Sequence, residues 1–302
     1  MEIRNFQELV SAVQGGKRKG VAVTAAADGD TVVSAIRGAK ENIAEPIFIG
    51  DGREIEKILA SLGEPRDLYE IVNEPDAGRT PAAACRLVGE GRASIVMKGF
   101  LDTSVFLGGI LDKECGLRAE GPMSHVAVMQ IPGYHKVLAV TDAGMIPAPD
   151  LEQKTRIVRN AVGMMAGLGY ARPNVAAVTA SEKASRALPE TLDAEALREA
   201  AERGEIAGCT LEGPVSYDIV MSRESALRKG YGGQNSGNYD ILLVPGISAG
   251  NILCKALIYN ASAKMAGIVA GAKAPLVVNS RSSPPEEKFY ALVLAAASQN
   301  VV

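Results

Sequence analysis

The sequence predicts an α/β protein made of two doubly wound α/β domains, with mostly parallel sheets and one antiparallel ribbon. Three observations predict it. The chain has 302 residues, 47% of them apolar, which suits one large or two ordinary domains with real cores. Strand and helix patterns alternate along most of it, as repeated βα units on a parallel sheet do. The alternation breaks once, at "SHVAVMQI-PGYH-KVLAVTD", where Pro-Gly-Tyr-His joins two apolar runs and gives a hairpin signal.

Taken in order, "MEIRNFQELVSAVQ" is amphipathic with mixed charge, unlike a secretory leader. "GVAVTAA" is a short apolar strand, and Asp28 then caps a helix running to about Lys40. "PIFIG" is the next strand, "EIEKILASLG" the next helix, and Gly63 closes it. "LYEIVN" leads to the helix in "AGRTPAAACRLVGEG", and "ASIVMKG" leads to "TSVFLGGILDKECG". After the ribbon comes "MIPAPD", whose two prolines suggest a crossing between domains. A helix from about Asp150 to Leu168 opens the second half. "NVAAVTA", "CTLEG", "YDILLVPG" and "AGIVAG" read as its strands. "DAEALREAAERG", "IVMSRESALRKG" and a segment from Ser248 read as its helices. The expected boundaries are 1–147 with 273–302 for the first domain and 148–272 for the second.

Composition narrows the function. A net charge of −3 without a Lys/Arg block argues against a nucleic-acid surface. No apolar run reaches membrane-spanning length. Cys85, Cys115, Cys209 and Cys254 are scattered, which fits reduced thiols and a cytoplasmic protein better than a disulfide frame. His125 and His135 are the two histidines, and they make a poor metal site. Both fall on the ribbon, where a core or interface role is the plainer reading.

Several strand ends carry chemistry. "MKGFLDTSVF" places Lys98 at a strand end and Thr103 and Ser104 at a helix start, a plausible phosphate cradle. On residue types alone a simple N-cap at Asp102 or Thr103 outweighs that reading. "LVPGISAGNILCKAL" repeats the logic around Asn251, and a plain strand-to-helix turn explains it equally well. In "LEGPVSYD", Glu212 reads as solvated or capping, and "YGGQNSGN" as a flexible loop. "PLVVNSRSSPPEEKFYALVLAA" is the most specific stretch. Ser280 and Arg281 end an apolar strand, and Glu287 lies in the first turns of the following helix, able to point back at them. Ser283 as a cap, with Glu286 and Glu287 favouring the helix dipole, is the competing account.

These stretches, together with "LRAEGPMSHVAVMQIPG", "TDAGMIPAPDLEQK" and "AKMAGIVAGAKAPLVVNSRS", resemble the phosphate acetyl- and butyryltransferases over roughly two thirds of the chain. "GLRAEGPMSHVAVMQ" and "AKMAGIVAGAKAP" look more like the butyryl branch. The resemblance implies transfer of an acyl group between coenzyme A and inorganic phosphate, in a cleft between the two domains. It implies a homo-dimer or larger homo-oligomer, coenzyme A as substrate rather than bound cofactor, and no metal. Ser280, Arg281 and Glu287 fall on the family's catalytic serine, arginine and acid. Two further arginines of the acetyl enzymes are replaced here by Gly108 and Ile258, so phosphate is expected at Lys98, Arg118, Thr103 and Ser104. An NAD(P)-dependent hydroxy-acid dehydrogenase of related architecture would want a metal held by aspartates and a catalytic Lys/Tyr pair; that constellation is not found in the sequence, and no G-x-G-x-x-G follows the first strand. A non-catalytic sensor of acyl phosphate or coenzyme A is the other alternative.

Overall fold

Alternating apolar runs become alternating elements. The computed structural model describes residues 2–280 and 283–298. In chain order these form α1 (Phe6–Gln14), β1 (Lys19–Thr24), α2 (Gly29–Lys40), β2 (Ala44–Gly50), α3 (Gly52–Ser61), β3 (Glu70–Asn73), α4 (Thr80–Gly89), β4 (Ile95–Lys98) and α5 (Thr103–Leu111). The ribbon is β5 (Ser124–Gln130) and β6 (Leu138–Thr141). Then follow α6 (Leu151–Gly167), β7 (Asn174–Val178), α7 (Pro189–Glu202), β8 (Thr210–Val215), α8 (Tyr217–Met221), α9 (Arg223–Lys229), β9 (Ile241–Leu243) and α10 (Ile247–Ala261). The chain closes with β10 (Lys264–Ala270), β11 (Leu276–Val277) and α11 (Pro285–Ser298).

The elements fall into two compact units. One comprises Gln7–Glu120 and residues 266–298. Its strand order is β3-β2-β1-β4-β11-β10, parallel except where β10 meets β11. Val21, Val23, Phe48, Ile49, Ile95, Val96, Met97, Leu276 and Val277 are all buried, so these strands read as continuous apolar runs rather than as alternation. Helix α11 is apolar on every side and buried from Lys288 to Ala297. It crosses α2 closely. A side chain at Gly38 would stand 2.8 Å from Leu292, which is why glycine occupies that turn of α2.

The other unit comprises Gly121–Met265 and residues 2–6, with strand order β5-β6-β9-β7-β8. β5 and β6 pair antiparallel, the ribbon read from the sequence, and β6 then pairs in parallel with β9. That pairing draws the ribbon into this unit. The division therefore falls at Gly121 and Met265 rather than at 147/148 and 272/273, and "MIPAPD" lies inside one unit. Its core gathers Met129, Leu138, Val215, Leu242 and the fully buried Tyr239.

Two local expectations are corrected. The helix read through "IVMSRESALRKG" is two helices, because Ser222 is extended and its hydroxyl accepts from Ser225 N–H at 3.2 Å, starting α9 afresh. Cys85 and Cys115 are joined in a disulfide rather than standing as separate thiols. Cys85 lies on α4 and Cys115 in the 3-10 turn Lys113–Cys115 that follows α5, their Cα atoms 5.2 Å apart, and α5 packs tightly on α4: a side chain at Gly109 would meet Pro81 at 2.7 Å. Cys209 and Cys254 are buried thiols, and burial pushes Cys254 up to about 12, far from a reactive thiolate.

Candidate active site

Three parallel strands of the first unit, β1, β4 and β11, end side by side. From β1 the chain winds outward through β2 and β3, then crosses back to β4 on the other side of β1. This reversal of strand order is where open α/β sheets leave a crevice. Asp28, Thr31, Lys98, Gly99, Phe100, Asn279, Ser280 and Lys288 line a pocket there, with about 310 Å³ of empty space counting its mouth.

Lys98 closes β4 and is buried, its Nζ donating to the carbonyls of Gly99 at 3.3 Å and Leu101 at 3.1 Å. The next residue must be glycine. A Cβ at Gly99 would stand 2.4 Å from the Thr24 carbonyl oxygen, where the chain passes close over the end of β1. Asp28 caps α2 as its position suggests, with Oδ1 accepting from Asp30 N–H at 3.2 Å. Its Oδ2 faces Lys288 Nζ at 2.8 Å, and Lys288 also donates to Thr31 Oγ1 at 3.1 Å. Burial works to raise the Asp28 carboxyl. The Lys288 and Thr31 hydrogen bonds, the Lys288 charge and the Asp30 N–H outweigh it and hold the group below its ordinary value.

The β11–α11 junction forms the remaining wall. Ser280 is exposed on the pocket's edge, and its carbonyl accepts from Ser283 N–H at 3.1 Å. Glu287 is half-buried in the first turn of α11. Its Oε1 accepts from Ser283 Oγ at 2.7 Å and from Asn279 Nδ2 at 3.3 Å. Ser283 therefore braces Glu287, and Glu287 in turn holds Asn279.

Of the residues expected to bind substrate or catalyse, Lys98 and Ser280 meet in this pocket, with Glu287 one hydrogen bond behind it. Arg281 lies outside the described residues. Thr103 and Ser104 are exposed at the start of α5, and Arg118 is exposed beside a bridge to Ala272. None of the three is among the residues lining the pocket. Asn251 is exposed in the first turn of α10, in the other unit. Sequence reasoning missed Asp28, Thr31, Asn279 and Lys288 as site residues. Lys288 offered one signal, a cation embedded in an otherwise apolar helix, but its partner lies 260 residues away.

In the other unit, Glu212 is half-buried and engaged by the protein rather than by water alone. It accepts from Gln234 N–H at 3.0 Å, Asn235 N–H at 3.2 Å, Asn235 Nδ2 at 2.7 Å and Tyr239 Oη, so it pins the loop read as flexible. Half-buried His125, on β5, has its Nδ1 buried without a partner among the described residues. Burial drives this imidazole below its ordinary value, against the pull of Asp142.

Comparison with known proteins bears on all of this. The profile described as Phosphate acetyl/butaryl transferase matches residues 70–296. The chain is 40% identical over 295 residues to a phosphate butyryltransferase of Clostridium acetobutylicum, covering 97% of this chain and 98% of that one. It is 36% identical to a phosphate acetyltransferase of Thermotoga maritima, over 96% and 99% of the two chains. A branched-chain phosphotransacylase from Enterococcus faecalis superposes with a TM-score of 0.82 at 30% identity, covering 93% of this chain and 98% of that one.

Proposed function

The chain belongs to the phosphate acetyl/butaryl transferase family, and from that premise we propose that it moves a short acyl group, butyryl before acetyl, between coenzyme A and inorganic phosphate. The observation that carries this reading is the pocket at the ends of β1, β4 and β11, where two lysines and a serine hydroxyl converge. Two ammonium groups against one carboxylate leave a net positive lining, suited to phosphate.

The reaction is acyl-CoA + phosphate = acyl phosphate + CoA, by direct attack within a ternary complex. A phosphate oxygen attacks the thioester carbonyl, the C–O bond forms, the C–S bond breaks, and the sulfur leaves as thiolate. In the reverse direction the thiolate attacks the acyl phosphate and phosphate leaves. In either direction the acyl donor is already activated and the other substrate brings its own nucleophile, so the protein supplies position, charge and a proton acceptor. Lys98 and Lys288 face the phosphate, and Arg281 adds a planar fork for its oxygens. The Ser280 hydroxyl donates to the developing oxyanion or to the sulfur. Glu287 accepts the thiol proton on Oε2, its Oε1 being committed to Ser283 and Asn279. No metal or resident cofactor is part of the proposal. It includes a homo-oligomer in the cytoplasm, and the exposed Ile252 and Tyr259, seven residues apart on α10, support self-association.

A thioester-formation assay tests the proposal: purified protein, coenzyme A and a series of acyl phosphates, then the reverse with phosphate. Turnover unaffected by a chelator and faster with four-carbon than two-carbon acyl groups is expected. Faster turnover of acetyl phosphate overturns the chain-length reading, and coenzyme A binding without turnover overturns the enzymatic one.

A further inference from the structure

Asn279 is nine-tenths buried at the end of β11, and the neighbouring carboxylate settles which way its amide points. Nδ2 donates to Glu287 Oε1, and the reverse orientation would set two oxygens against each other. Oδ1 is thereby turned away from Glu287. It is buried, has no partner among the described residues, and belongs to a side chain that lines the pocket. Buried carbonyl oxygens are rarely left unanswered in the working state of a protein, so this acceptor marks a place where a ligand donates.

The rest of the lining narrows the ligand. Lys98 and Lys288 are cations, and Asp28, the carboxylate of the set, is taken by Lys288, Thr31 and Asp30 N–H. Phosphate and acyl phosphate present mainly acceptor oxygens, which suit the lysines and repel Asn279 Oδ1. Coenzyme A carries an amide N–H two carbons from its sulfur, the donor nearest its reacting atom. We propose that Asn279 recognises coenzyme A at this point, its Oδ1 accepting from that amide N–H and so setting the sulfur beside Ser280 and Glu287. The inference rests on the reading of coenzyme A as substrate.

The test compares coenzyme A with an analogue in which that amide is replaced by an ester, the same shape without the donor. For the unmodified protein, KM for the analogue should exceed KM for coenzyme A by roughly ten- to a hundredfold, the worth of one buried hydrogen bond. For Asn279→Leu, KM for coenzyme A should rise by a similar factor and no longer distinguish the two thiols, while KM for phosphate stays at the parental value. Equal KM values for the two thiols in the unmodified protein overturn the inference and leave the function standing. A rise in KM for phosphate rather than for coenzyme A in Asn279→Leu also overturns it. No turnover of coenzyme A by the unmodified protein overturns the function and the inference together.

Discussion

Two polar clusters, one in each unit, are built from similar groups and end differently. In the second unit Lys229 Nζ lies 2.8 Å from Glu182 Oε1 and 3.0 Å from both Ser216 Oγ and an Asp218 oxygen. It holds a serine, a lysine and two carboxylates, like a catalytic set. Yet its Lys229 side chain is 42% exposed, and the ion pairs hold both acids below their ordinary values and the ammonium above its own. A lysine kept that firmly charged cannot act as the base for Ser216. In the first unit Lys288 is 5% exposed, opens onto a pocket, and stands near an acceptor that has no partner among the described residues. The difference teaches that a site is marked less by residue types than by enclosure and by what is left unpaired.

The largest effect should come from breaking the enclosed pair. Lys288→Met leaves Asp28 facing the pocket without its cation. Removing one partner of a buried pair costs about 3–5 kcal/mol, and the low end applies because Asp28 keeps 21% of its side-chain exposure. Denaturant unfolding at neutral pH checks this. The pH dependence follows from the depressed Asp28 carboxyl. Its stabilisation is complete above the ordinary value of 3.8 and is lost as pH falls through the lower folded value. The gap between parent and variant should therefore narrow as pH is lowered from 7 toward 3. A gap constant with pH would mean that packing, not the ion pair, carries the loss.

A middle effect is expected at Glu212, which is polar and satisfied but not in the pocket. Glu212→Leu strands two backbone N–H groups and the Tyr239 hydroxyl, a loss of about 2 kcal/mol in unfolding free energy. Acyl-transfer kinetics at 25 °C should stay near parental values, because the change loosens a loop of the other unit.

The smallest effect should follow Lys229→Ala. Exposed pairs contribute little, so its unfolding midpoint should match the parent's within scatter, with screening by salt making any difference smaller still. A large loss of stability there would break the contrast between the two clusters.

Much of this was legible in the sequence, and the reasons for the remainder are physical. Strand ends and helix starts are local, so Asp28, Lys98, the ribbon and the start of α6 near Asp150 follow from neighbours a few residues away. The Ser280 position was legible because an apolar strand stops there. Lys288 meeting Asp28, and β6 joining β9, depend on topology that spacing does not encode. Thr103 and Ser104 have the residue types of an anion cradle, but the chain turns at Gly99–Phe100 and carries them to an exposed helix start. Glu212 read as a surface acid because its loop partners lie more than twenty residues on.

The most direct test of the central claim, that the enclosed cluster holds phosphate and the exposed one does not, pairs Lys98→Met with Lys229→Met. Both variants lose one positive charge, and both are compared with the parent in kcat/KM for phosphate after their folding is checked by circular dichroism. Lys98→Met should fall by about ten- to a hundredfold, the worth of a charge-assisted contact, while Lys229→Met keeps the parental value. A folded Lys98→Met protein with parental kcat/KM, or an equal loss in Lys229→Met, would contradict the account.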